Sequence, residues 1–141
     1  MKTIRQSTLS ELHLHLKDFY DSISYDGSPE FEQYTPKGAW ITLLHNSDVA
    51  GFINLEPLNN VMWNCHVMIH PSFRQHGSEE WGILTAEFMR EHCGAKKFLA
   101  LTPYIAAKKY AEKIGFKHVH TLNESVQKNG ILMNQYMLEM N

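Results

Sequence analysis

The segment Val61-Met62-Trp63-Asn64-Cys65-His66-Val67-Met68-Ile69, with the residues that follow it to Cys93, indicates the architecture of this chain. The quoted run is mostly apolar and predicts a long strand. Glu79 to Cys93 predicts a helix that ends at Gly94. One face of this helix carries the apolar residues Trp81, Leu84, Phe88 and Met89. The residues between them therefore form a loop that leads from a strand into the first turn of a helix.

This loop, His70-Pro71-Ser72-Phe73-Arg74-Gln75-His76-Gly77-Ser78, has features of a phosphate-binding site. The first turn of a helix has unpaired backbone amides and the positive end of the helix dipole. Gly77 would let a phosphate approach the backbone, and Arg74 could add a charged hydrogen bond. An ordinary strand–helix connection would also fit these residues.

Upstream of this segment, the sequence predicts a strand and then a helix. Thr3 to Arg5 is the opening strand. Thr8 to Glu11 has the form of a capping box, in which a hydroxyl and a carboxylate satisfy free amides at a helix start. The helix that follows has one apolar stripe, formed by Leu9, Leu12, Leu16, Phe19 and Tyr20.

The next region combines an irregular segment with an antiparallel meander. Asp21 to Lys37 contains several turn signals, and it could form a short helix over Glu30 to Tyr34 or a mobile loop that contacts substrate. Ala39 to Leu44 and Val49 to Leu55 predict two strands joined by a turn. Together with the strand over Val61 to Ile69, they complete the meander.

Downstream, the pattern changes to alternating strands and helices. The predicted strands are Phe98 to Leu101, Lys117 to Leu122 and Ile131 to Glu139, with a loop over Asn123 to Gly130. Thr102-Pro103 predicts a capped helix start, and Gly115 ends that helix after Ile114. The chain therefore predicts one α/β domain over residues 1–141, with a mixed sheet in which an antiparallel meander precedes a β-loop-α-β-α-β unit.

Composition narrows the class of protein. The chain has 141 residues, 43% of them apolar and 20% charged, which is ordinary for one globular domain. The formal net charge of −2 provides no basic field for nucleic acid or an anionic membrane. No apolar run is long enough to span a bilayer, and Met1 to Ser7 lacks the apolar stretch of a secretion signal, so we expect a cytoplasmic protein.

The cysteines and histidines of this chain do not predict a metal site. Cys65 and Cys93 lie in apolar segments, and we expect both to be buried free thiols. Nine histidines are present, yet no third or fourth ligand stands at a recognised metal spacing. The sequence therefore predicts no metal.

The chain resembles the GCN5-related N-acetyltransferase (GNAT) superfamily. Ile69-x-Pro71, Phe73 and Arg74-x-x-Gly77 resemble the family's acetyl-CoA loop, which follows a long fourth strand as it does here. Ile114-Gly115-Phe116 resembles the family's closing signature, in which a helix ends at Gly-Phe before a strand. The order of elements is similar over nearly the whole chain. The resemblance implies the acyl-CoA N-acyltransferase fold, with acetyl-CoA as cosubstrate and an amine as acceptor.

The resemblance also implies which residues contact the cosubstrate. Backbone amides near Val67, Met68 and Ile69 would bond the pantetheine chain and polarise the thioester carbonyl. The pyrophosphate would lie against the amides of the loop and helix start, namely Arg74, Gln75, His76, Gly77, Ser78 and Glu79. Tyr104 stands where the family often has an asparagine that contacts CoA.

Three positions depart from the family pattern. Glu79 replaces a small residue, so its carboxylate would lie near the incoming phosphates, and Tyr104 replaces the asparagine. Many members use a tyrosine four residues before the glycine to protonate the leaving thiolate, and that position is Ala111. Tyr110 is one residue away, about 100° round the helix, so it should face elsewhere. It is a candidate acid and also a candidate for core packing.

The sequence does not single out one residue as the general base. Alternation along the long strand puts Asn64 and His66 on one face. His66 and Glu56 are therefore candidates to accept the proton of an amine, and each could equally have a structural or solvated role. Cys65 has no basic partner in the sequence and is a weaker candidate as a nucleophile.

These observations support two hypotheses. The first is an N-acetyltransferase that moves an acetyl group to a small-molecule or peptide amine by direct attack. The second is a GNAT-like module that no longer catalyses and acts in binding or assembly, because Glu79, Tyr104 and Ala111 all depart from the family pattern at ligand-facing positions. Compact members with such motifs resemble products carried by bacteriophages. Ile131 to Met140 alternates apolar and polar residues, so its strand could pair with a second copy in a homodimer.

Overall fold

The computed structural model describes residues 1–74 and 77–141 as seven strands and three α-helices. The strands are β1 (Lys2–Gln6), β2 (Ala39–His45), β3 (Asp48–Pro57), β4 (Met62–Ile69), β5 (Lys97–Thr102), β6 (Lys117–Lys128) and β7 (Ile131–Met140). The helices are α1 (Leu9–His15), α2 (Glu79–Cys93) and α3 (Ile105–Ile114). Short 3-10 segments cover Leu16–Ile23, Phe31–Gln33 and Pro71–Phe73.

All seven strands form one sheet in the order β1-β2-β3-β4-β5-β7-β6. Only β4 and β5 pair in parallel; the other neighbours are antiparallel. A parallel pair needs a long crossover, and α2 supplies it. The predicted mixed sheet, with a meander followed by β-loop-α-β-α-β, is confirmed.

Helices cover both faces of the sheet and produce two apolar cores. On one face, α2 and α3 pack over the larger core, whose fully buried members include Leu43, Leu55, Trp81, Met89 and Phe98. On the other face, α1 and the 3-10 segment after it cover Leu12, Leu16, Trp40, Phe52 and Met68. The sheet is therefore the middle of three layers.

The first helix is shorter than the sequence pattern predicts. The capping box is present, because the Thr8 side chain accepts from the Glu11 amide and Glu11 reaches back to Thr8. However, α1 ends at His15, and a 3-10 helix continues to Ile23. Residues three apart share an edge of a 3-10 helix, which puts Phe19 beside Leu16 and against Phe52, with ring centroids 5.7 Å apart. Packing on the sheet therefore overrides the α-helical spacing.

Two other boundaries were wrong. The last helix begins at Ile105, because Thr102 still pairs in β5 and its hydroxyl accepts from the Tyr104 amide at 3.1 Å. The predicted loop over Asn123 to Gly130 is mostly strand, since β6 runs to Lys128 and a tight Asn129-Gly130 turn starts β7. Both turn residues have positive φ, 52° and 78°, as such hairpin turns require. The register shift between Leu122 and Val126 is the irregularity that hid this strand.

Glu11 ties α1 to the sheet through one buried carboxylate. Its side chain is 8% exposed and forms a bidentate pair with Arg5, at 2.6 and 2.7 Å. The Thr42 hydroxyl donates to the same carboxylate at 2.8 Å. Burial opposes ionisation, but the bonds from Arg5, Thr42 and the Thr8 amide outweigh it and lower the pKa of Glu11.

Glu11→Gln should therefore destabilise the protein in a pH-dependent way. Losing the charged hydrogen bonds should cost about 1–3 kcal/mol of unfolding free energy near neutral pH. Because the folded-state pKa lies below the ordinary 4.5, this contribution is present above that value and is lost as pH falls through the folded-state pKa. Urea unfolding of wild type and variant from neutral to acid pH measures it. The exposed Glu87→Gln is the control, and a deficit that does not shrink in acid would contradict the assignment.

Candidate active site

A cavity of about 640 Å³ opens where β4 and β5 separate. Their pairing runs from Met62–Lys97 to Cys65–Ala100. Beyond it, in the described part of the chain, residues 66–69 have no strand partner on the β5 side. Val67 and Ile69 line the cavity from β4, with Gly82 from α2 and Ala107 from α3.

The loop between β4 and α2 forms one end of this cavity. The Arg74 Nε donates to the Ile69 carbonyl at 2.7 Å, and within the described residues Arg74 has no carboxylate partner within 4 Å. Gly77 has φ +88°, which favours glycine. Ser78, the N-cap of α2, makes no side-chain cap bond. The predicted contacts at Gln75 and His76 lie outside the described residues.

Cationic side chains lie in the cavity lining and beside the loop. Arg74, Lys109 and Lys113 all line the cavity, and the two lysines are one helical turn apart on α3. The Lys2 ammonium, which the sequence analysis did not identify, lies 3.5 Å from the point that a Cβ at Gly77 would occupy. No local pattern could reveal it, because β1 and the loop are distant in sequence. Glu79 and Glu80 begin α2, as predicted.

Tyr110 lies on the cavity wall and also holds α3 against α2. Tyr110 and Ala111 both line the cavity, and the phenol end of Tyr110 is turned towards α2. The Tyr110 hydroxyl donates to the Ser78 carbonyl at 2.9 Å. Burial, with the nearby Glu79 carboxylate, raises the pKa of Tyr110, so the phenol keeps its proton. Gly82 permits this close approach, since a Cβ there would lie 2.2 Å from Ile114 Cδ1.

His66 lines the cavity from β4, close to Glu56 on β3. Burial lowers the pKa of His66, and the Glu56 carboxylate partly offsets this effect. The imidazole is therefore neutral at physiological pH. The Asn64 amide nitrogen lies 3.3 Å from His66 Nε2, so Asn64 orients the ring through a long hydrogen bond. Glu56 is half-buried and is not among the described residues that line the cavity.

Cys65 has no features of a nucleophile. Burial raises the pKa of its thiol to about 12, so the thiolate is not populated near neutral pH. Cys93 is also a free thiol.

Residues 21–28, part of the segment predicted to be irregular, form a roof over the cavity. Asp21, Ser22, Ile23 and Tyr25 line the cavity from this roof. Tyr104, the N-cap of α3, lines it from the other side. Burial and then the Tyr104 phenol raise the pKa of Tyr25 to about 12. The predicted CoA-contact residue Tyr104 therefore lies near Tyr25 in the cavity lining.

Residues 1–74 and 77–141 contain neither a metal-binding cluster nor a membrane-spanning helix. No three side chains of His, Cys, Asp or Glu come together there in a way that could hold a metal ion. The helices in those ranges are too short or too polar to cross a membrane.

Solved structures of acetyltransferases have the same fold over almost the full chain. Spermidine N-acetyltransferase from Vibrio cholerae, in complex with CoA and spermine, superposes with a TM-score of 0.80 at 13% identity and covers 99% of this chain and 94% of its own. A GNAT acetyltransferase from Elizabethkingia anophelis with acetyl-CoA bound gives 0.74 at 18% identity, covering 99% and 97%. A phosphinothricin acetyltransferase from Sinorhizobium meliloti in complex with acetyl-CoA gives 0.71 at 14% identity, covering 99% and 87%.

No curated protein sequence matches this chain. The sequence model of the acetyltransferase (GNAT) family matches residues 9–116, which is most of the chain and includes both β4 and the loop after it. The chain therefore belongs to the GNAT acetyltransferase family.

Proposed function

We propose that this protein transfers an acetyl group from acetyl-CoA to a primary amine by direct attack. The observation that carries the proposal is the cavity between the separated ends of β4 and β5, which reaches Ser78 and the start of α2 at one end and has three cationic side chains, Arg74, Lys109 and Lys113, in its lining. That end suits the phosphates of CoA, and the roofed end suits an acceptor. In the reaction, the amine nitrogen bonds to the acetyl carbon and its proton passes to the base. The carbon–sulfur bond breaks with its electron pair on sulfur, so CoA leaves as a thiolate that takes a proton from solvent.

The described residues fit acetyl-CoA. The amides at the start of α2 have no side-chain cap, Gly77 leaves the backbone accessible, and Arg74 keeps part of its guanidinium free of carboxylates. The unpaired edge of β4 from Val67 to Ile69 can bond an amide-containing chain in the manner of an added strand. Acetyl-CoA would supply the activated thioester.

His66 is our candidate for the general base. It lines the cavity, and its lowered pKa leaves it neutral and able to accept a proton near pH 7. The long Asn64 contact is weak enough for an ammonium group to displace. Glu56 would act through His66, because its carboxylate favours the protonated imidazole.

Tyr110 is assigned a positioning role in this proposal. Its raised pKa keeps the proton on the phenol, but that proton is donated to the Ser78 carbonyl. Protonating the departing thiolate would require breaking this bond at the start of α2. We therefore assign Tyr110 to holding α2 and α3 together beside the cosubstrate, and the sequence-based role of acid is not retained.

The first test is titration of the protein with acetyl-CoA in a calorimeter. We expect micromolar binding, weakened at least about tenfold in the double variant Lys109→Glu/Lys113→Glu, because reversed charges repel the phosphates. The matched control is Lys96→Glu/Lys117→Glu, which changes the net charge equally at exposed residues outside the cavity. Absence of binding by the folded wild type would overturn the proposal and favour the non-catalytic module.

The role of His66 is tested by its pKa and by the rate. Nuclear magnetic resonance titration should give His66 a pKa below its ordinary 6.5, and Glu56→Gln should lower it further by removing the opposing carboxylate. With an amine that the protein acetylates, kcat/KM should fall as pH drops through that pKa, because the protonated imidazole can no longer act as the base. His66→Gln should reduce kcat by about 10²-fold or more without changing acetyl-CoA affinity. A pH profile that Glu56→Gln leaves unmoved would reject His66 as the base.

A further inference from the structure

The roof of the cavity is tied to the β6–β7 hairpin, about a hundred residues away in sequence. The Asp26 carboxylate accepts from the backbone amides of Asn129 and Gly130, both at 2.9 Å. The Asp26 amide donates to the Gln127 carbonyl at 2.9 Å. These three bonds fix the tip of the hairpin against the roof segment.

Lys128 is the second part of this tie. Its ammonium donates to the backbone carbonyls of Asp21 and Ser24, the latter at 3.0 Å. These carbonyls lie at the end of the 3-10 helix, where a cation is electrostatically favoured. The ammonium also lies 5.6 Å from the centre of the Tyr25 ring. The Lys128 side chain is 16% exposed. The carbonyls of Asp21 and Ser24 and the ring of Tyr25 surround its ammonium and form a cage around it.

The same lysine sets the charge of the roofed end. Asp21 is the only carboxylate among the described residues that line the cavity, and Lys128 Nζ lies 3.4 Å from it. The Asp21 side chain is almost fully exposed, so this ion pair contributes little to the free energy of unfolding. Its effect is on charge, because the one carboxylate among the described lining residues already has a cation beside it, while Glu56, close to His66, lies outside that lining.

The remaining surfaces at this end are aromatic and uncharged. Tyr25 and Tyr104 present phenols from the roof and from the start of α3, and His66 is neutral. Aromatic faces favour a flat apolar group and can accept one ammonium, whereas a polyamine needs several carboxylates. An acceptor with several positive charges would find no uncompensated anion on these described walls.

We propose that the acceptor is a primary amine with one positive charge and a flat apolar body, and that Lys128 sets this preference by holding residues 21–28 over the cavity and pairing with Asp21. This inference rests on the proposed function and names the substrate class of the same site. Lys128 is a specificity-determining residue and takes no part in the chemical step.

The test is binding of two probe amines to the full chain saturated with CoA, which lacks the acetyl group and allows no reaction. Tyramine, an aromatic monoamine, should bind at least about tenfold more tightly than spermidine, a polyamine. In Lys128→Met this preference should fall at least about fivefold, because the roof loosens and Asp21 loses its partner. Lys128→Arg should restore most of it, since the charge is kept.

Lys108→Met is the matched control. Lys108 likewise contacts one carboxylate, Glu112 at 3.2 Å, and one tyrosine ring, Tyr136 at 5.7 Å, but it does not line the cavity. It should leave the ratio of the two affinities unchanged. Hydrogen exchange gives a readout that needs no ligand: the amides of Asp26, Asn129 and Gly130 should exchange about tenfold faster in Lys128→Met than in Lys108→Met.

Failure of this inference and failure of the proposed function give different results. If CoA does not bind, the proposed function fails, and the amines are then titrated into the protein alone to decide the preference of the roofed end. Spermidine binding as tightly as tyramine, or the same ratio in Lys128→Met as in wild type, would overturn the inference even if CoA binds. Unchanged exchange of the three amides would remove Lys128 as the residue that holds the roof.

Discussion

Hydrogen bonding between β4 and β5 stops at Cys65 and Ala100, and the rest of the site depends on where it stops. The two strands are parallel, so a crossover must return the chain, and α2 spans that distance on one face. The crossover places the start of α2 next to the end of β4, where the strands have separated. An unpaired strand edge and the positive end of a helix therefore meet at one cavity. The proposed phosphate end of the site is a consequence of sheet topology.

Successive side chains of β4 point to opposite faces of the sheet, and the two faces have different roles. Val67 and Ile69 belong to the face covered by α2 and α3, while Met68 packs in the core under α1. His66 shares the α1 side with Met68 and Asn64, yet it still reaches the cavity because β5 no longer covers that edge. One strand can thus contribute backbone to a cosubstrate and a neutral imidazole to an acceptor.

The proposed acceptor end is built from segments that are far apart in the chain. Residues 21–28 have little regular structure and gain their position from Lys128 and the Asn129-Gly130 turn. Closing so long a loop costs chain entropy, which several simultaneous hydrogen bonds offset. The charge of Asp21 and the placement of Tyr25 are set by the same contacts, so geometry and electrostatics of this end are coupled.

The sequence alone determined the family, the order of elements, the capping box at Thr8 and Glu11, and the loop from Ile69 to Gly77, because these depend on local spacing and turn chemistry. It failed where packing overrode periodicity, as at the 3-10 helix after His15, and where a register shift concealed the second half of β6. The proximity of Lys2 to Gly77, the Tyr110 bond to Ser78 and the cage around Lys128 join residues distant in sequence. Such contacts have no local signal, so only the tertiary structure decided them.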